Sequence, residues 1–447
     1  MGRLFGTDGV RGVAGQELDA LLAYDLGRAG AFVLSEGTKR PKILVGRDTR
    51  ISGNMLESAL AAGLCSVGAD VLLAGVMPTP AVAWLTRRYG CDTGVVISAS
   101  HNPMEYNGIK FFDGNGFKLP DATEDRIESL LGCDSLPRAT GADVGTIEIL
   151  DRAEDDYLAF LKSLVDVKLR GMRIVLDCAN GAAFRIAPRL FSELGAQIIS
   201  VYDYPNGTNI NDNCGSTHME HLQSIVRDTN ADIGFAFDGD ADRMLAVDGD
   251  GEIVDGDRIM AICALDMKEQ GLLTRNTLVV TVMSNLGLRV AMQEAGIDVS
   301  ITAVGDRYVL ERMQQDGFAI GGEQSGHVIF LRENTTGDGL VSAVKLLSAI
   351  RRSGQPLREL KNVMSVFPQE LVNVRLSDNE AKARLASDEV INEAITRIEM
   401  RYGSRGRVLV RPSGTEPLIR VMIEGEDEAR VRADAEALAA LIAERLG

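Results

Sequence analysis

The sequence predicts an α/β protein: three similar α/β domains with mixed sheets, followed by a smaller C-terminal α+β domain. Two observations carry this. Short β-branched runs, each followed by a glycine-rich turn and an amphipathic stretch, recur from the N-terminus to about residue 365. The runs also fall into an imperfect internal triplication, which ends before the last 80 or so residues.

The first repeated element is Lys42-Ile-Leu-Val-Gly-Arg-Asp, then Arg173-Ile-Val-Leu-Asp-Cys-Ala-Asn, then Thr277-Leu-Val-Val-Thr-Val-Met-Ser-Asn. Each is an apolar strand that ends in polar residues and leads into a helix. The second is Gly68-Ala-Asp-Val-Leu-Leu, Gly195-Ala-Gln-Ile-Ile-Ser and Gly296-Ile-Asp-Val-Ser-Ile, where a glycine past a helix end opens the next strand. The third is Thr93-Gly-Val-Val-Ile-Ser-Ala-Ser, Ile233-Gly-Phe-Ala-Phe-Asp-Gly-Asp and Gly317-Phe-Ala-Ile-Gly-Gly-Glu-Gln-Ser. Each third strand runs into a polar loop, near Ser98, Asp238 and Gly321. Ligands of open α/β sheets gather beyond strand ends, so the three loops are expected to share a cleft. Beyond them, Leu371-Val-Asn-Val-Arg-Leu, Arg407-Val-Leu-Val-Arg and Leu418-Ile-Arg-Val-Met-Ile-Glu read as a small sheet, and 426–446 as an alanine-rich helix. The expected domains are 1–152, 153–253, 254–367 and 368–447.

Composition narrows the function. The 447 residues are 45% hydrophobic and 25% charged, ordinary for a globular chain able to bury a large core. A net charge of −17 gives no support for binding nucleic acid or an anionic membrane. Any anionic substrate must be caught by local basic groups. The six cysteines form no C-x-x-C and read as reduced, mostly buried thiols of a cytoplasmic protein. The opening residues lack the apolar stretch of a signal peptide, and the most apolar region, 67–85, holds Asp70 and two prolines, which excludes a membrane span. His218 and His221 sit three apart without a third ligand nearby in sequence, and read as an ordinary helix face.

Three loops carry candidate chemistry, with a weaker fourth. Asp238-Gly-Asp-Ala-Asp-Arg places three carboxylates close together, and three such charges need a cation, of the hard kind that takes oxygen ligands. An EF-hand fails, because its sixth and twelfth positions would be Arg243 and Gly249. Asp248-Gly-Asp-Gly, just after, reads as a solvated acidic turn. Ser98-Ala-Ser-His-Asn-Pro reads as an exposed, rigid loop offering Ser100 as a nucleophile or phosphate carrier with His101 beside it. Arg411-Pro-Ser-Gly-Thr-Glu-Pro-Leu-Ile-Arg supplies arginines, hydroxyls and backbone N–H groups suited to a phosphate monoester. Gly321-Gly-Glu-Gln-Ser-Gly-His adds Glu323 and Ser325, able to bind sugar hydroxyls. There is no Walker A loop and no G-x-G-x-x-G. The set points to phosphoryl transfer on a sugar phosphate without a nucleotide.

These loops, with Phe5-Gly-Thr-Asp-Gly-Val-Arg-Gly, resemble the motifs of the α-D-phosphohexomutases, in family order and nearly end to end. The opening motif and the pair Val304-Gly-Asp-Arg-Tyr-Val and Gly322-Glu-Gln-Ser-Gly-His are similar to the bacterial phosphoglucosamine mutase branch; phosphomannomutase/phosphoglucomutase relatives usually have His where this chain has Asp306. The resemblance implies a four-domain, heart-shaped arrangement around a central cleft. It implies interconversion of glucosamine 6-phosphate and glucosamine 1-phosphate through glucosamine 1,6-bisphosphate, on the route to UDP-N-acetylglucosamine and cell wall. Ser100 becomes the phosphoserine. Asp238, Asp240 and Asp242 hold Mg²⁺ together with an oxygen of the Ser100 phosphate. Glu323 and Ser325 bind the sugar, and Arg411, Ser413, Gly414, Thr415 and Arg420 hold the phosphate that is not reacting. Arg11, Lys110 and Arg243 are candidates to offset charge on the moving phosphoryl, and His101, His327 and Lys110 to serve as base. Asp306 or another carboxylate is a candidate partner for the substrate ammonium. Family members are often homodimers, and some bacterial ones associate with a diadenylate cyclase. The competing readings are a neutral-sugar mutase of the same family, a phosphotransferase with Asp238 as nucleophile, and a sugar-phosphate sensor without turnover.

Overall fold

The computed structural model describes residues 3–6, 9–34, 38–376, 380–413 and 418–447. It divides into two compact units, one of residues 1–283 and 297–363, the other of 284–296 and 364–447.

The first unit contains three sheets. Strands β1 (Phe5–Gly6), β2 (Gly9–Val13), β3 (Lys42–Arg47), β4 (Asp70–Val76), β5 (Thr93–Ile97), β6 (Tyr106–Asp113) and β7 (Ile147–Ile149) form a sheet of order β1-β2-β6-β5-β3-β4-β7. Strands β8 (Arg173–Asp177), β9 (Gln197–Val201), β10 (Ile233–Phe237), β11 (Met244–Asp248) and β12 (Ile253–Val254) form a second, of order β12-β11-β10-β8-β9. Strands β13 (Thr277–Thr281), β14 (Asp298–Thr302), β15 (Ile320–Gly322) and β16 (Val328–Phe330) form a third, of order β14-β13-β15-β16.

The same core recurs in each. Three parallel strands carry one antiparallel hairpin partner: β4-β3-β5 with β6, β9-β8-β10 with β11, β14-β13-β15 with β16. The triplication seen in the sequence is therefore a triplication of topology. Strands β5, β10 and β13 are buried along their whole length, as expected of sheets covered by helices on both faces. Continuous Val, Ile, Phe and Ala runs give that burial and leave polar residues only at the strand ends. The Ser98, Asp238 and Glu323 loops are thus all hairpin turns, β5-β6, β10-β11 and β15-β16.

Two expectations change here. The Ser98 loop is exposed only in its second half: Ser98, Ala99 and Ser100 are almost inaccessible to solvent, while Pro103 and Glu105 are exposed. Asp248 is not solvated either: it is fully buried at the end of β11, accepts from the N–H groups of Asp250 and Glu252, and pairs with Lys361 at 2.5 Å. A turn of alternating Asp and Gly reads as polar surface, but one carboxylate at its base is needed to satisfy the turn's own N–H groups.

The second unit holds β17 (Gln369–Arg375), β18 (Gly406–Pro412) and β19 (Leu418–Gly425), an antiparallel sheet of order β17-β19-β18. Its core joins Val374, Ile419, Val421 and Ile423 of the sheet to Val431, Leu438 and Ile442 of helix Glu428–Leu446. Helix Leu286–Glu294 also belongs to it. Asn285 exchanges hydrogen bonds with the backbone of Phe367 at 3.0 Å, and the buried Glu424 accepts from Leu286 N at 3.2 Å. The six cysteines are free, five of them buried and Cys133 half-buried. Among the described residues, no helix is long and apolar enough to cross a membrane.

Candidate active site

Two of the hairpin turns meet at Ser100. Its Oγ donates to Asp238 Oδ2 at 2.6 Å and lies 3.3 Å from His101 Nδ1. The residue sits in left-handed backbone space, φ 53°. Gly239 makes the approach possible: a Cβ there would lie 2.5 Å from Ser100 O.

The three aspartates point into one buried space. One carboxylate oxygen from each of Asp238, Asp240 and Asp242 lies within 4.8 Å of the others. Asp240 Oδ2 accepts from Thr79 Oγ1 at 2.6 Å and from Lys110 Nζ at 3.1 Å, while Thr79 N donates to Asp240 O. Asp242 Oδ2 faces His327 Nδ1 at 3.5 Å. Asp240 Oδ1 and Asp242 Oδ1 are buried with no hydrogen-bond partner among the described residues. Buried carboxylate oxygens are rarely left so. The donor set is all oxygen, hard and anionic, and fits a divalent cation of the Mg²⁺ or Ca²⁺ type.

The electrostatics agree. Burial first, then the charges of Asp242 and Asp240, push Asp238 well above the usual carboxylate range. Burial works against ionising Asp242 as well, but His327, Lys110 and Arg243 outweigh it and hold Asp242 below that range. With no cation, three adjacent buried carboxylates oppose one another's ionisation. Burial lowers His101 from its usual value, helped by Arg243 and Arg11, so its imidazole is neutral near pH 7.

The third hairpin turn lies alongside. Glu323, half-buried, accepts from Gly305 N at 3.1 Å, and its charge acts on Arg243. Ser325 is exposed at the tip of the turn. Gly337 N donates to His327 Nε2 at 3.1 Å, which leaves Nδ1 to carry the proton facing Asp242. His327 Nε2 also lies 3.6 Å from Asp306, whose carboxylate pairs with Lys118. These contacts run as a chain, Lys118–Asp306–His327–Asp242, from the third turn to the aspartates.

In the second unit Arg411 and Arg420 lie directly opposite each other on β18 and β19. Like charges in that position repel, and an anion between them relieves the cost. Burial, then Arg420, lowers Arg411 from its usual value, and Arg420 Nε is buried without a partner among the described residues. Ser413 follows Arg411 in a buried position, and its carbonyl accepts from Lys382 Nζ at 2.8 Å. Gly414 and Thr415 lie outside the described residues, as do Thr7 and Asp8 of the opening motif.

Thr79, Lys118 and Lys382 are site residues that sequence reasoning missed. Each acts across a large separation, such as the 161 positions between Thr79 and Asp240, and no local pattern marks them. His218 and His221 do not share a helix face: His218 precedes helix Glu220–Asp228, and His221 stands on it with its ring edge-on to Tyr202 at 5.3 Å.

Comparison with known proteins agrees along the whole chain. Residues 2–135, 155–251 and 255–367 match phosphoglucomutase/phosphomannomutase α/β/α domains I, II and III, and residues 371–441 match the C-terminal domain of that family. The chain is 56% identical over 450 residues to a phosphoglucosamine mutase of Caldicellulosiruptor bescii, covering 100% of both. It is 57% identical over 445 residues to that of Clostridium perfringens, covering 99% of both. Among solved structures it resembles a phosphoglucomutase/phosphomannomutase family protein of Burkholderia thailandensis, with a TM-score of 0.84, 28% identity, and coverage of 100% of this chain and 98% of that one.

Proposed function

This chain belongs to the phosphoglucomutase/phosphomannomutase family, the α-D-phosphohexomutases, and from that premise we infer that it is an isomerase interconverting glucosamine 6-phosphate and glucosamine 1-phosphate. The sugar is taken from the relatives that match it end to end. The chemistry rests on one observation, a buried serine hydroxyl 2.6 Å from a carboxylate of an aspartate trio with orphaned oxygens.

In this reading Ser100 carries a phosphoryl group and lends it to the free hydroxyl of the substrate. The product of that step, glucosamine 1,6-bisphosphate, turns over, and its other phosphate returns to Ser100. Asp238, Asp240 and Asp242, with an oxygen of the Ser100 phosphate, would hold Mg²⁺. When bound, that ion supplies positive charge to the transferring phosphoryl oxygens. Arg243, Arg11 and Lys110 add fixed positive charge to the same pocket, and Lys110 also anchors Asp240. His101, the imidazole 3.3 Å from Ser100 Oγ, takes the proton of the attacking sugar hydroxyl. His327 orients Asp242. Glu323 and Ser325 bind sugar hydroxyls, and Arg411, Ser413 and Arg420 grip the phosphate that is not reacting. Gly414 and Thr415 join them on the strength of the motif alone. We assign the serine loop to a domain of residues 1–152, the metal loop to 153–253, the sugar loop to 254–367 and the phosphate grip to 368–447. We assign the enzyme to the cytoplasm.

The test is a coupled assay with glucosamine 6-phosphate, Mg²⁺ and a trace of hexose 1,6-bisphosphate, run beside glucose and mannose phosphates. Intact mass is expected to show an added phosphoryl, about 80 Da, that Ser100→Ala abolishes. Preference for a neutral sugar would replace the amino-sugar reading, and an acid-stable adduct elsewhere would replace Ser100.

A further inference from the structure

The serine loop is gripped from behind by an arginine that no solvent reaches. Arg50 lies in the turn after β3, with its side chain fully buried. Its Nε donates to Asp48 Oδ2 at 2.9 Å. Its terminal nitrogens donate to three carbonyls of the serine loop: Ser100 O at 2.9 Å, Asn102 O at 2.8 Å, and Pro103 O. Asn211, from the loop after β9, donates to two of the same carbonyls, Ser100 O at 2.9 Å and Asn102 O at 3.0 Å. Asp48 closes the circuit. It accepts from Ser98 Oγ at 2.6 Å, and that hydroxyl oxygen accepts from Ser100 N at 3.0 Å.

Charge is not what this arginine contributes. Asp48 balances it, and its other donors are spent on backbone carbonyls, not on Ser100 Oγ. What it fixes is geometry. Ser100 holds a φ of 53°, a region that non-glycine residues avoid unless their surroundings enforce it. Two donors on Ser100 O and one acceptor for Ser100 N supply that enforcement. A planar guanidinium reaches several carbonyls at fixed angles, which a lysine ammonium does not.

We propose that Arg50, with Asp48 and Asn211, is a positioning set that holds Ser100 in its left-handed conformation and so aims Oγ at the aspartate trio. The set touches neither sugar nor phosphate. The proposal rests on the reading of Ser100 as the phosphoryl carrier. Its loss should therefore slow transfer and leave sugar-phosphate binding intact.

The experiment uses the full-length enzyme with Mg²⁺ and compares wild type with Arg50→Lys, Arg50→Ala and Asn211→Ala. Misplacement by about 1 Å costs on the order of 100-fold in rate, so kcat for Arg50→Lys is expected to fall by about that factor, with KM within about twofold. For Asn211→Ala a loss of about 10-fold in kcat is expected, again with KM unchanged. Added guanidinium should restore part of the turnover of Arg50→Ala, and the phosphoserine ³¹P resonance should shift in each variant. Wild-type kcat in folded Arg50→Lys and Asn211→Ala, or an effect confined to KM, overturns the positioning role. If Arg50→Lys does not fold, Asn211→Ala decides alone. A wild type without turnover and without phosphate on Ser100 overturns the phosphoserine reading itself, and this proposal with it.

Discussion

Gly239 of the carboxylate loop lies against the backbone of the serine loop. A methyl group there would press on a backbone oxygen, Ser100 O, which cannot swing aside. Gly239→Ala is therefore expected to part the two loops and lower kcat by about 100-fold, as read by steady-state kinetics on folded enzyme. An unchanged rate would show that the contact does not set the serine's aim. Thr79 gives a second residue-scale prediction. Its hydroxyl and N–H both hold Asp240 and leave Oδ1 free to ligate. Outer-shell partners of this kind contribute about 10–100-fold in metal affinity. Thr79→Val should weaken Mg²⁺ binding within that range by calorimetric titration, and equal affinity would remove Thr79 from the site.

At the scale of elements, helix Leu286–Glu294 is seated on the C-terminal unit by a very close backbone approach. A Cβ on Gly287 would lie 1.7 Å from Ser365 O, while Asn285 and Glu424 bond across the same seam. Gly287→Ala should destabilise that unit by about 3 kcal/mol, the scale of backbone clashes at buried positions. Hydrogen exchange under mild denaturant, read at the β17–β19 amides of that unit, checks this. The edge of the first sheet carries a pH dependence. Asp70, at the start of β4, pairs with Arg40 and accepts from the N–H and hydroxyl of Thr146. The Arg40 bond first, then the Thr146 bonds, depress the Asp70 pKa against the opposing effect of burial. A depressed folded value means the stabilisation is complete above the ordinary aspartate pKa of about 3.9 and drains away as pH falls below it. Exchange of the β7 amides next to Thr146 should therefore quicken only below about pH 4. Quickening on going to alkaline pH, beyond the intrinsic rate, would contradict the sign.

Over the whole molecule, the two units have separate hydrophobic cores, and the aspartate trio belongs to the first alone. Calorimetry should resolve more than one transition. Mg²⁺ at about 100 times its dissociation constant should stabilise the first unit by about 2.7 kcal/mol and leave the other transition in place. Equal shifts of both would mean the units unfold together. The threefold repetition in the three-sheet unit was readable from the sequence, since each copy repeats a strand, a helix exit and a polar turn in one chain order, whereas the order of strands within each sheet was not. The small β17–β19 sheet and its helix were readable as well. The membership of helix Leu286–Glu294 was not, because nothing in its residues distinguishes one neighbouring core from another.

The sequence by itself determined the chemistry on offer. Three carboxylates at alternate positions, a serine beside a histidine, and two arginines flanking a turn are local facts, fixed by spacing within one loop. Only the tertiary structure decided that Ser100 Oγ bonds to Asp238, that Asp240 Oδ1 and Asp242 Oδ1 have no hydrogen-bond partner among the described residues, and that Arg50 and Asn211 share the same carbonyls. The physical reason is range. Covalent geometry sets distances over a few residues, whereas groups 50 to 138 positions apart meet only because packed strands end at a common level.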